Sequence, residues 1–138
     1  RELFKKVFVK INENMANMDA EIKKKGFSVI LMGDFNFRAD GQENIDQFNR
    51  LKQWIDVWAY LMGDSHSGYT FDGQTNSMIQ LHRPLLERSR IDRIILRSQT
   101  IIPTSIQILG HEPIAHIDNI NIFPSDHFGL TGTFQKVQ

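Results

Sequence analysis

"ILMGDFNFRAD", residues 30–40, carries an apolar, strand-like run straight into Gly33, Asp34 and Asn36, with Arg38 two residues further on. The six residues "FSVILM" (27–32) that feed it are nearly continuous in apolar side chains and rich in β-branched ones. That pattern predicts a short strand covered on both faces. A strand of this kind should close on a bland turn. It closes instead on a carboxylate and a carboxamide, and the rest of the chain must supply their partners.

Outward from this strand, the spacing of Leu3, Phe4, Val7, Ile11, Met15, Met18 and Ile22 predicts an amphipathic helix over 2–25. "KKKG" ends it with a basic last turn and a Gly26 stop. "NIDQFNRLKQWI" (44–55) reads as a second amphipathic helix. "VWAYLM" is a helix end or a short strand, with one further strand at "YTF". Clearer strands follow at 91–98, 104–110 and 129–136. Between the last two lies a long connection without periodicity, the kind of loop that often carries function.

The chain has 138 residues and 41% hydrophobic content, enough for one core and too little for two ordinary domains. With no repeat, linker or low-complexity stretch, residues 1–138 read as a single unit of mixed α/β (α+β) class. Sixteen basic residues balance sixteen acidic ones, so a polyanion would be met by a local site rather than a basic field. The absence of cysteine excludes disulfides and thiolate metal sites and is compatible with an intracellular setting. No apolar run reaches the roughly 20 residues of a membrane span, and the start is not a signal peptide. It enters helix without an initiator Met, as though cut from something longer.

Three polar clusters stand at strand ends: Asp34 with Asn36, Asp92 inside "RIDRII", and Asp126 with His127. Each alone has a plain structural explanation. An Asp after a strand is a turn former or helix cap, and "DH" in a loop is surface polarity. Asp92 is more demanding, because burying its carboxylate unpaired would cost several kcal/mol. It requires a partner: Arg90, Arg93 or a histidine. Together the set contains what phosphoester hydrolysis needs, namely carboxylates to hold a metal and orient water, and donors for the non-bridging oxygens. His66, His82, His111 and His116 show no metal spacing, and Trp54, Trp58 and the ten Phe read as core.

In order and spacing, "GDFN", "SRIDRIIL" and "SDHFGL" resemble the endonuclease/exonuclease/phosphatase superfamily, whose members include DNase-I-like nucleases, inositol polyphosphate phosphatases and tyrosyl-DNA phosphodiesterases. Arg38 after "GDFNF", "DVW" at 56–58, "GYTFDG" at 68–73 and "FPSDHFGL" at 123–130 point to the last two branches. The resemblance implies that Asp34 orients the attacking water and Asn36 binds the scissile phosphate. It implies that His127 contacts a non-bridging oxygen with Asp92 fixing its tautomer, and that Asp126 sits at the Mg²⁺ site, Mn²⁺ being an alternative. Arg38 is then a phosphate contact, and Thr70 and Phe71 line the substrate cleft.

The resemblance also implies the C-terminal half of a four-layer α/β/β/α sandwich. The other half, in cis or as a partner chain, would supply the principal metal ligand. The four main strands are then expected in one mostly antiparallel sheet, with helices on one face and the other face apolar and uncovered. The implied activity is Mg²⁺-dependent phosphodiester hydrolysis on nucleic acid. A phosphatase of inositol phosphates or phospholipid head groups, and a non-catalytic remnant of the fold, are the alternatives.

Overall fold

The computed structural model describes residues 17–50, 53–63, 66–82 and 86–137. The elements in chain order are α1 (17–25), β1 (Val29–Asp34), α2 (Gln42–Arg50), β2 (Ile55–Asp56), α3 (Val57–Met62), β3 (Phe71–Asp72) and α4 (Ser77–His82), followed by β4 (Arg88–Ser89), β5 (Asp92–Arg97), β6 (Ile101–Leu109), β7 (Ala115–Ile117), β8 (Ile120–Ile122) and β9 (Gly129–Lys136). The expected first helix is helical where described; its earlier part lies outside the described residues.

The expected single sheet is not what forms. β1, β5 and β2 make one antiparallel sheet in the order β1-β5-β2, while β6 pairs with β9 in a separate ribbon. The break lies at Ser98, whose hydroxyl accepts from the amides of Thr100 and Ile101, both at 2.9 Å. This side-chain turn redirects the chain after β5. β6 therefore packs over the sheet instead of extending it. Pro103 adds an irregularity in the β6–β9 register, as expected of a residue with no N–H to donate.

Alternation along the β1–β5 ladder then sorts the side chains. Leu31 pairs with Ile95, Val29 with Arg97 and Gly33 with Arg93, and these face the helices. Ile95 joins Ile22 and Trp54 in a core flanked by Val29, Leu31, Phe35 and Phe48. Ile30 pairs with Leu96, Met32 with Ile94 and Asp34 with Asp92 on the other face. There Ile94 and Leu96 pack with Val57, Trp58 and Ile106, backed by Leu130 and Phe134. The face expected to be uncovered is thus largely closed by α3 and the β6–β9 ribbon; Met32 remains 62% exposed.

Two further differences have local causes. The second helix is described as far as Arg50, residues 51–52 lying outside the described residues, and Ile55, expected to end it, instead joins the edge of β5 with Asp56. Asp56 there caps α3 by accepting from the Trp58 amide at 3.0 Å and takes Arg90 Nη1 at 2.7 Å. Arg93 Nε lies 2.7 Å from the same oxygen, although its N–H does not point at it. The Arg93 guanidinium is buried among Phe35, Phe37 and Phe48, and burial lowers its pKa from the usual value. The connection between β6 and β9 is not structureless either. It holds the β7–β8 hairpin, turned by Asp118 and Asn119 at φ 48° and 64°, the left-handed pair that a type I′ turn demands.

Candidate active site

Ladder alternation places Asp34 and Asp92 on the face that the ribbon covers, and His127 lies two residues before β9. The consequence is direct: His127 Nδ1 stands 2.8 Å from Asp92 Oδ2. A carboxylate can only accept, so Nδ1–H donates and Nε2 is left at the far end of the ring. Both side chains are partly buried, 20% and 26% exposed for Asp92 and His127. The partner demanded by Asp92 is therefore the histidine, while Arg90 and Arg93 turn to Asp56.

Beside this pair, Asp34 holds the turn that follows β1. Its Oδ1 accepts from the Asn36 amide at 2.7 Å and its Oδ2 from the Asn36 side chain at 3.0 Å. Asn36 sits at φ 53°, a left-handed conformation that Asn tolerates and the Asp34 side chain locks. Asp34 is thus the former of the turn that carries Asn36 into the cleft. The backbone amides of Phe35 and Ala39 donate to Ile91 and Arg90 at 2.9 and 3.1 Å, so the loop stays tied to the start of β5.

A cleft of about 500 Å³ opens here, lined in part by Asn36, Arg38, Phe71, Ile91, Asp126 and His127. Phe71 presents an edge-on contact to the His127 ring, with centroids 5.3 Å apart. Asp126 is exposed and close to Ser125 Oγ (3.3 Å), while the His127 amide donates to that hydroxyl at 3.1 Å. Arg38 is held by Asp40 through bonds of 2.9 and 3.0 Å, with Glu87 at 3.7 Å. The Asp40 contact raises the Arg38 pKa, and the Arg38 hydrogen bond in turn holds Asp40 below the usual carboxylate range. An incoming phosphate would compete with Asp40 for this guanidinium.

Thr70 departs from expectation. It does not line the cleft, being fully buried. Its hydroxyl accepts from the amides of Ile91 and Asp92 at 3.2 and 3.0 Å. Three supports escaped the sequence reading: Asp56, Asp72 and Asn76. Buried Asn76 donates from its side chain to the Ser125 carbonyl at 2.9 Å, tethering the loop that carries Asp126 and His127. Asp72 takes both arms of Arg88 at 2.9 and 2.7 Å. Burial pushes the Asp72 carboxyl up, but Arg88, the Gln74 amide and Thr75 outweigh it and hold the group below its ordinary value. "DVW" and "TFDG" contained the two acids, but nothing in either stretch shows the arginine that each would meet.

The donor set does not make a metal centre by itself. Among the described residues no group of three His, Cys, Asp or Glu side chains could hold an ion. Asp34 and Asp126 offer oxygens, whereas a hard divalent cation takes about six.

The structure thus sets an Asp–His pair and an Asp–Asn turn at one end of a helix-backed antiparallel sheet. The chain matches the Endonuclease/Exonuclease/phosphatase family over residues 19–127 and belongs to it. Among curated proteins it is 34% identical to Tyrosyl-DNA phosphodiesterase 2 of Bos taurus over 114 residues, covering 80% of this chain and 29% of that protein. To the Homo sapiens protein of the same name it is 32% identical, covering 86% of this chain and 33% of that one. The chain therefore spans about a third of the length of these relatives. A crystal structure of Danio rerio TDP2 complexed with single-strand DNA product superposes with TM-score 0.64 at 28% identity, covering 90% of this chain and 49% of that one. Truncated Caenorhabditis elegans TDP2 shares the fold with TM-score 0.67 at 22% identity, over 97% of this chain and 49% of its own. Members of the family are in general divalent-metal dependent.

Proposed function

We propose that this chain is the C-terminal half of a phosphodiesterase domain acting on DNA, with a phosphotyrosyl linkage as the bond cleaved. The observation that carries the reading is the 2.8 Å contact between Asp92 and His127 beside the Asp34–Asn36 turn. In this role Asp34 orients the attacking water, and Asn36 faces the phosphoryl group in the cleft. His127, its Nδ1–H held by Asp92, donates from Nε2 to a non-bridging oxygen when protonated. Phe71 and Ile91 give the cleft an apolar flank on which an aromatic leaving group can rest. The relatives named for tyrosyl-DNA linkages support this substrate over an inositol phosphate.

The metal in this reading is Mg²⁺, with Mn²⁺ as an alternative. It would stabilise charge developing on the phosphoryl oxygens. Its principal carboxylate ligand belongs to the other half of the domain, in cis or as a partner chain. The 138-residue chain alone is accordingly expected to turn over phosphodiesters weakly or not at all. The test is hydrolysis of a 5′-phosphotyrosyl oligonucleotide and of an inositol polyphosphate by the full-length protein, with Mg²⁺ and with chelator. Metal-dependent release of tyrosine, lost in His127→Ala with little change in melting temperature, is the expected result. Preference for the inositol phosphate, turnover by neither, or full activity of His127→Ala would overturn the reading.

A further inference from the structure

Asp92 and His127 come from different segments, 35 residues apart; Asp92 stands at the last rung of the β1–β5 ladder, and His127 lies in the loop two residues before β9. Something else must hold the two segments at hydrogen-bonding distance. Thr70 touches both. Its hydroxyl accepts from the Asp92 amide at 3.0 Å and the Ile91 amide at 3.2 Å. Its carbonyl accepts from the Phe128 amide at 2.7 Å, one residue past His127. Its own amide donates to the Ser89 carbonyl at 3.1 Å. The next residue, Phe71, sets its ring against the His127 imidazole.

We propose that Thr70 is the positioning residue of the site, a single buried side chain and peptide that set the Asp92–His127 separation. The inference rests on the reading of that pair as catalytic. A threonine suits the task. One hydroxyl oxygen has two lone pairs, enough for two amide donors, and β-branching restricts χ1 so that the oxygen stays aimed. Full burial excludes water as a substitute acceptor. Without the hydroxyl, the amides of Ile91 and Asp92 lose their acceptor, and the start of β5 must shift to find another.

The experiment uses the full-length protein and the variants Thr70→Val, Thr70→Ser and His127→Ala. Thr70→Val keeps the shape and removes the acceptor. It should lower kcat by about 10- to 100-fold, the cost of a small misplacement, and leave KM within about twofold, since Thr70 does not reach the cleft. Thr70→Ser restores the oxygen and should keep kcat within about threefold of wild type. At one fixed pH, the His127 ring nitrogen resonances should move in Thr70→Val and not in Thr70→Ser. Wild-type kcat and unmoved ring resonances in a folded Thr70→Val protein would overturn the proposal. If Thr70→Val does not fold, amide exchange in the wild type decides. The amides of Ile91, Asp92 and Phe128 should be protected like those inside the β5 ladder, and exchange at the rate of free loop amides would overturn the assignment. Full activity of His127→Ala would instead overturn the catalytic reading on which it rests, a result that the ring resonances of Thr70→Val cannot produce.

Discussion

Asp34 and Asp92 form the last rung of the β1–β5 ladder, directly opposite one another across the antiparallel pair. Like charges so placed repel by about 0.2–1 kcal/mol, and each acid is occupied elsewhere, Asp34 by Asn36 and Asp92 by His127. Asp34→Asn removes the repulsion and turns the solvent-exposed charge-assisted bonds to Asn36 into neutral ones, a loss of about 1 kcal/mol. The two changes nearly cancel. Full-length Asp34→Asn should therefore melt within a few degrees of wild type while hydrolysis of the phosphotyrosyl substrate is lost. Thermal melts beside turnover assays check this, and retained activity would refute the water-orienting role.

Asp92→Asn keeps an oxygen that can accept from His127 Nδ1 but removes the charge that fixes the ring. The protein should stay folded, with turnover falling by about 10²-fold or more, the scale of a positioned acid–base group. Steady-state kinetics of the full-length variant, with circular dichroism to confirm folding, measure it.

Gly68 stands at φ +62°, and a Cβ built there would meet the indole of Trp58 at 2.2 Å. That indole is fixed, since Trp58 is buried and its Nε1 donates to the His66 carbonyl at 2.8 Å. Gly68→Ala should destabilise by about 2–4 kcal/mol, combining overpacking with the left-handed backbone cost. Denaturant titration reads it. A loss under about 0.5 kcal/mol would mean that the 66–69 loop yields easily, as a surface site would.

Asp72 makes stability depend on acid. Its folded pKa lies below the ordinary value because Arg88, Gln74 and Thr75 outweigh burial. Its contribution is then fully present above the unfolded value of about 3.9. It is lost as pH falls through the lower folded value. Melting temperatures between pH 7 and pH 3 should fall less steeply in Asp72→Asn than in wild type, although the variant starts lower. Parallel pH profiles would contradict the assignment.

Asp56→Ala should be the most damaging of these changes. It removes the α3 cap and strands Arg90 and Arg93 at side-chain exposures of 10% and 0%. Breaking a buried ion pair from one side costs about 3–5 kcal/mol, and a lost cap adds about 1. Chemical denaturation measures the sum; a loss below about 1 kcal/mol would show that the arginines find other acceptors.

How much of this was legible depends on whether a signal was local. β9 was readable to the residue at 129–136, since apolar and polar positions alternate through it. The need of Asp92 for a partner was readable from its apolar neighbours; the choice of His127 over arginine came from the family resemblance alone, because residue by residue it depends on how β9 packs against the sheet. The strand at Ile55–Asp56 was hidden because pairing to β5 overrides a helical pattern. The β7–β8 hairpin leaves a signal, Asp118–Asn119 between two isoleucines, in a stretch whose lack of periodicity otherwise reads as loop. The Thr70 hydroxyl bonds were beyond reach, since both amides lie more than twenty residues away in sequence.

The Ser98 turn has a kinetic consequence. By sending β6 over the sheet, it places the histidine on the loop that leads into β9, 35 residues from Asp92. Contacts of that separation close slowly, because loop entropy must be lost before any bond repays it. Helices and local turns can form while Asp92 still lacks the imidazole. Catalysis should therefore be among the last properties to return after refolding, trailing the recovery of far-ultraviolet ellipticity in a stopped-flow experiment on the full-length protein.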